Sequence, residues 1–369
     1  MQLISEGFGG GLSGRCLNTP GTPDFESRTR GMTSFTLSLL LNALATVQFV
    51  WCYLSWVHQP LALVKYENGL VSTPFQYRLL MMLPLRWAHN SPMMNGLSGH
   101  LTNLRWFDFG VRPEGLLQAL LDILSVLCTG LVARALYRAA SSRRLLTPWV
   151  YPLTLAMVFV TYSSSFTYRV RYVYDLPSMA FFALGLYLIY FRRSVYLFAG
   201  LFLVATINRE TSLFLLVFFV LAKWIQENRS LARMLHPSVL LPLALLSLFW
   251  LAWHHWVAAH FAHNASVGRM HWKDNIYLLL APFSWPQLLA VGAFTVPLLL
   301  FYRRLLQDAL LTVWLWSIAV WFVFMMIFGV IIEIRIFGEL IPYLACCTAL
   351  IAEQVLLRRF ESSSAMRRN

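Results

Sequence analysis

Charge is what this sequence has least of: Asp, Glu, Lys and Arg make up 12% of its 369 residues, about half the roughly 25% that a soluble domain carries. A chain that poor in charge cannot cover a water-facing surface of ordinary composition, which excludes a soluble globular protein. Cysteine is also scarce. Of the five, Cys52, Cys128, Cys346 and Cys347 fall inside apolar runs, where a thiol acts as a small hydrophobe, so neither a disulfide framework nor a zinc site is expected. No repeat of about 20 to 50 residues recurs, which excludes a solenoid. The first 31 residues contain no apolar stretch, so they are read as a disordered tail and not as a cleavable leader. Met32, directly before the first apolar run, leaves an upstream start site as the other reading of that tail.

What the sequence has in abundance is apolar length. Hydrophobic residues make up 58% of it, in runs approaching the roughly 20 residues that cross a hydrocarbon core of about 30 Å. The fold class expected is an all-α polytopic membrane protein with about ten transmembrane helices, near 34–57, 115–137, 148–165, 176–191, 195–208, 212–225, 238–253, 283–302, 309–332 and 337–357. Residues 32–359 form one transmembrane domain and 360–369 a cytoplasmic tail. Basic residues set the orientation: with both termini inside, 18 of the 29 Lys and Arg fall on the cytoplasmic side. The net charge of +13 is spread in short clusters and not in one stripe, which argues against nucleic acid. The long connection 58–114 mixes apolar, basic and aromatic residues over 76–88 and 97–109, a pattern expected of helices lying in the membrane interface.

The remaining basic residues fall on the outer side, and they keep company with carboxylates. Glu67 and Arg78 lie in the long loop, with Tyr77 beside Arg78. Arg169, Arg171 and Asp175 precede Pro177. Asn208, Arg209, Glu210 and Thr211 form the apex between two runs of 14 residues, each about 21 Å long as a helix and so too short to cross fully. Glu333, Arg335 and Glu339 open the last run. Polar groups held at such depth are tolerated only against protein or a water-filled cavity. Arginine forks bind phosphate oxygens bidentately, and neighbouring carboxylates serve as general base, metal ligand or counter-ion.

Each of these residues has an ordinary reading as well. Arg335 and Glu339 are four apart and would pair along one helix face; Asp175, two ahead of a proline, suits a helix start. Asp122 and Glu353, deeper in their runs, suit contacts between helices. His260 and His263 share a helical spacing compatible with metal ligation, but no partner motif accompanies them, and interfacial histidines are the expected reading.

In layout the chain resembles the GT-C class of membrane glycosyltransferases. The likeness lies in the long first external loop with interfacial helices, the short spans with a charged external apex, and the external Glu67, Arg78, Asp175, Arg209 and Glu210. The resemblance implies transfer of a sugar from a polyprenyl-phosphate-linked donor to a saccharide or lipid-linked acceptor at the outer face of a bacterial cytoplasmic membrane. It implies Glu67, Asp175 or Glu210 in catalysis, Arg78, Arg169, Arg171, Arg209 and Arg335 on the lipid phosphate, and Tyr77, Asn208, Glu333 and Glu339 in support. No cofactor is implied outright, and a divalent cation is left open. A polysaccharide polymerase or ligase, and a flippase for lipid-linked saccharide, are the competing readings.

Overall fold

The computed structural model describes residues 25–103, 112–163, 170–266 and 270–366. Residues Met1–Leu41 form one unit, of which the described part is the first half of helix α1 (Phe25–Trp56). Asn42–Asn369 form the other. Every regular element described is helical, and pairing between extended segments is confined to two isolated bridges, His58 with Val170 and Thr73 with Ser266. After α1 come three short helices, α2 (Leu63–Glu67), α3 (Met82–Asn90) and α4 (Pro92–Asn103). The next five are α5 (Pro113–Ala140), α6 (Val150–Ser163), α7 (Asp175–Tyr190), α8 (Val195–Asn208) and α9 (Leu213–Gln226). Then follow α10 (Leu231–Met234), α11 (Pro237–His260), α12 (Trp272–Leu280) and α13 (Trp285–Leu289). The chain closes with α14 (Thr295–Tyr302), α15 (Ala309–Val313), α16 (Leu315–Phe328) and α17 (Ile341–Met366).

Among the described residues, five segments are long and apolar enough to cross a bilayer: Thr36–Trp56, Pro113–Ala140, Pro237–His260, Ala309–Phe328 and Ile334–Ser362. Helix α5 shows why lipid is the solvent. Glu114, Gln118, Asp122, Ser125 and Thr129 recur every three or four positions, so they share one face, and all are buried. Leu120 and Leu124, each 53% exposed, and Leu131, 47% exposed, point outward. This inverts the usual amphipathic helix, and only an apolar surrounding makes the inversion favourable. The chain is an all-helical integral membrane protein.

Glu353 of α17 accepts hydrogen bonds from Tyr137 and Ser141 at 2.5 and 2.6 Å, the contact between helices expected of it. Asp122 is buried on α5, with its Oδ2 unpaired among the described residues.

Two sequence expectations change. The run 283–302 is not one helix: Gly292, Ala293 and Phe294 are successive left-handed residues, at φ of 55°, 57° and 63°, and they separate α13 from α14. Two non-glycine residues in that region oppose continuation of a right-handed helix. The segments 76–88 and 97–109 also differ in extent, the helices running Met82–Asn90 and Pro92–Asn103; residues 104–109 of the second lie outside those described.

The loop ahead of α5 has a small core of its own, in which Tyr66, Met81 and Leu85 pack with Tyr172 and Tyr174. Asn264 ties it down by donating to the carbonyls of Gly69 and Val71 at 2.9 and 2.7 Å. A 3-10 segment, Ile334–Leu340, leads into α17. Gly338 within it lies against the Tyr162 ring, and a Cβ there would collide with the phenol. Gly338→Ala is therefore expected to destabilise the protein by about 1–3 kcal/mol through overpacking, read as a lowered thermal midpoint in detergent; an unchanged midpoint would show that the ring can give way.

Candidate functional site

Four chain segments deliver charged side chains to one place. The 3-10 turn Phe75–Tyr77 hands the chain to Arg78, α7 begins with Asp175, the apex of α8 and α9 carries Arg209 and Glu210, and Ile334–Leu340 contributes Arg335 and Glu339. Asp175 is fully buried and sits between two guanidinium groups. Arg209 Nη1 lies 3.3 Å from its Oδ1, and Arg335 Nη1 lies 3.2 and 3.3 Å from its two oxygens. Arg209 also pairs with Glu339 at 3.0 Å, and Arg335 with Glu333 at 2.6 Å. Glu339 accepts further bonds from the hydroxyls of Ser178 and Thr211 at 2.9 and 2.8 Å.

Arg78 faces Glu210 in a two-pronged pair, its Nε donating to Oε2 at 3.0 Å and its Nη2 to Oε1. Burial alone would raise the Glu210 pKa, but the Arg78 charge overrides it and holds the carboxyl at about 2. The arginines also rest on aromatic rings. Phe75, Tyr172 and Tyr174 stack at centroid distances of 5.0 and 5.3 Å, with Arg335 4.4 Å over Tyr172 and Arg78 4.3 Å over Tyr174.

Arg335 and Glu339 do not pair with each other as their spacing suggests. Their segment has three residues per turn, so positions four apart diverge: Arg335 turns to Asp175 and Glu333, and Glu339 to Arg209, Ser178 and Thr211. Adjacent Arg209 and Glu210 do find separate partners. Asp175 starts α7 as expected, and its role extends beyond the helix end to the two arginines.

Beside this network is a cavity of 590 Å³, whose wall includes Arg78, Arg209, Glu210, Thr211, Trp250 and His254. Trp250 donates its indole N–H to the Glu210 carbonyl at 2.9 Å, and His254 stacks on Trp250 at 5.3 Å. Tyr77 meets His254 edge-on at 5.7 Å. Trp250 has no place among the residues expected from sequence, while Thr211 belongs to the expected apex. One helical turn separates Trp250 from His254, a spacing that could have marked them as one face of α11. Asn208, fully buried, donates to the Tyr174 carbonyl at 3.2 Å and so holds the apex against α7.

Other expected residues lie apart. Arg171 reaches back to α1, its Nε donating to the Val57 carbonyl at 3.0 Å, and it lines a different cavity of 260 Å³. Glu67 belongs to a separate cluster with His89 and Glu114. Arg169 lies outside the described residues. His260 stacks on Trp256 at 5.2 Å and meets Phe261 edge-on at 4.7 Å, an aromatic role in keeping with an interfacial histidine, and no metal-binding group among the described residues includes it or His263.

A third cavity, of 460 Å³, is almost wholly apolar and is lined by Trp285, Leu288, Val291, Phe322, Phe337 and Leu340, among others. Ile336 faces the charged cavity and its neighbour Phe337 the apolar one, so one 3-10 segment forms a wall of both.

Comparison with protein-family models, with curated proteins and with solved structures finds no match.

Proposed function

We propose that this chain is a membrane glycosyltransferase that moves a sugar from a polyprenyl-phosphate-linked donor to a saccharide or lipid-linked acceptor. In this reading the chain crosses the membrane about ten times, with both termini in the cytoplasm, and the charged cavity opens at the extracytoplasmic face. The observation that carries the reading is the shared wall: a cavity with two arginines and a carboxylate lies back to back with an apolar one. An amphiphile with an anionic head and a long hydrocarbon tail needs that pair of environments. The volume of the charged cavity falls in the range of about 300–1,000 Å³ typical of small-molecule sites.

The resting arginines are not free. Arg78, Arg209 and Arg335 face Asp175, Glu210, Glu333 and Glu339, so three positive charges meet four negative ones. Of these pairs, Arg78 with Glu210 borders the cavity and is the one a phosphate can enter. The donor phosphate would take over Arg78, which releases Glu210 and restores its basicity. An acceptor hydroxyl then attacks the anomeric carbon, its proton passes to Glu210, and the bond from that carbon to the phosphate oxygen breaks. The electron pair leaves on the lipid phosphate, stabilised by Arg78 with Arg209 behind it. Asp175, enclosed by arginines, positions them and does not reach the substrate.

The test is turnover of labelled hexosyl and pentosyl polyprenyl phosphates by the purified chain in lipid. Formation of a new glycosidic bond is expected, and Arg78→Met should slow it by about 10²–10³-fold. Translocation of an intact donor without bond formation would point to a flippase, and no binding of any such donor would end the proposal.

A further inference from the structure

We infer that Glu67, His89 and Glu114 bind a divalent transition-metal ion that fastens the loop ahead of α5 to the start of that helix. Glu67 ends α2, His89 lies in the last turn of α3, and Glu114 is the second residue of α5. One ligand atom from each lies within 4.8 Å of the others. His89 Nδ1 faces both carboxylates, hydrogen-bonded to Glu114 Oε1 and 4.0 Å from Glu67 Oε2.

Two features set this group apart from an ordinary acidic surface. Both carboxylates are 3% exposed, and each keeps an oxygen without a hydrogen-bond partner among the described residues, Oε1 of Glu67 and Oε2 of Glu114. Burying two like charges side by side with oxygens unmet is costly unless a cation joins them. His89 and Arg86 attract Glu67, but Arg86 forms no ion pair with it. The imidazole has a 47% exposed side chain, which leaves a path for an ion from water.

Two carboxylates and one imidazole are a donor set suited to Zn²⁺ or Mn²⁺, with a coordination position left for water. The ion would join three segments spread over residues 63–114, where local sequence offers only short helices. None of the three ligands belongs to the ion-pair network around Asp175, and the inference does not rest on the glycosyltransferase reading.

The rival occupant of the space is a proton shared between the carboxylates, and metal titration separates the two. Full-length protein in detergent, stripped with EDTA, is titrated with Zn²⁺ and in parallel with Mn²⁺, following bound metal by mass spectrometry and the thermal midpoint. One ion per chain with a raised midpoint is expected. His89→Ala and Glu114→Gln should each weaken binding by about 100-fold or more, beyond the usual effect of losing an outer-shell partner. Gln matches Glu in shape and His89 is half exposed, so both variants should stay monodisperse; His89→Ala carries the test alone if Glu114→Gln does not. Absence of stoichiometric binding of either ion, or binding unchanged in the variants, overturns the inference.

Discussion

Glu210→Gln is expected to lower kcat for sugar transfer by about 10²–10⁴-fold, the range for loss of a general base, without raising KM for the donor, since a neutral amide competes less with the phosphate for Arg78. The carboxylate has a 29% exposed side chain at the wall of the charged cavity, so it can meet an acceptor, which fully buried Asp175 cannot. Gln keeps the shape and still accepts a bond from Arg78, so the fold should survive with a small loss in thermal midpoint. What it cannot do is take the acceptor's proton. The split between kcat and KM matters because a purely structural role would disturb donor binding as well. A kcat equal to wild type would remove Glu210 from the mechanism and with it the exchange at Arg78.

Asp175→Asn is expected to produce the largest loss of stability, about 3–5 kcal/mol, the cost of breaking a buried ion pair from one side. Arg209 and Arg335, 3% and 8% exposed at the side chain, would be left sharing fewer negative charges. Arg209→Met should cost a similar amount, because it strips Asp175 and Glu339 of a common partner. The double variant should be less damaged than the sum of the two by about 0.5–3 kcal/mol, since residues in one network couple. Thermal and denaturant midpoints in detergent would measure this cycle. Strict additivity would mean that the two side chains do not depend on each other, against the geometry. The same cycle warns that lost activity in an Arg209 variant need not indicate contact with substrate.

Much of the helical framework can be read from the apolar runs, because length and hydropathy are local properties. The packing of the apex Asn208 to Thr211 against protein is visible in the same way, since its charged turn joins two 14-residue segments too short to span, and Asn208, Arg209 and Thr211 are buried. Partners are another matter. That Arg78 would choose Glu210, 132 positions away, or that Glu67 would meet His89 and Glu114 and leave the other carboxylates, follows from how the loop folds onto α5, and no spacing encodes it. The helical spacing of Arg335 and Glu339 misleads because the segment tightens to a 3-10 helix. The break at Gly292 to Phe294 is hidden for a related reason: an apolar run looks continuous in composition even where the backbone reverses its hand.

That break has a consequence for supply. The apolar cavity lies at that break, with Leu289 and Val291 on one side of the reversal, Val296 and Pro297 on the other, and Ile318 and Phe322 of α16 in its wall. If the chain takes a lipid-linked donor as proposed, that cavity would receive the hydrocarbon tail from the surrounding lipid. Its availability would then follow its mole fraction among the lipids, and diluting the aqueous phase around a vesicle would leave the rate of encounter untouched.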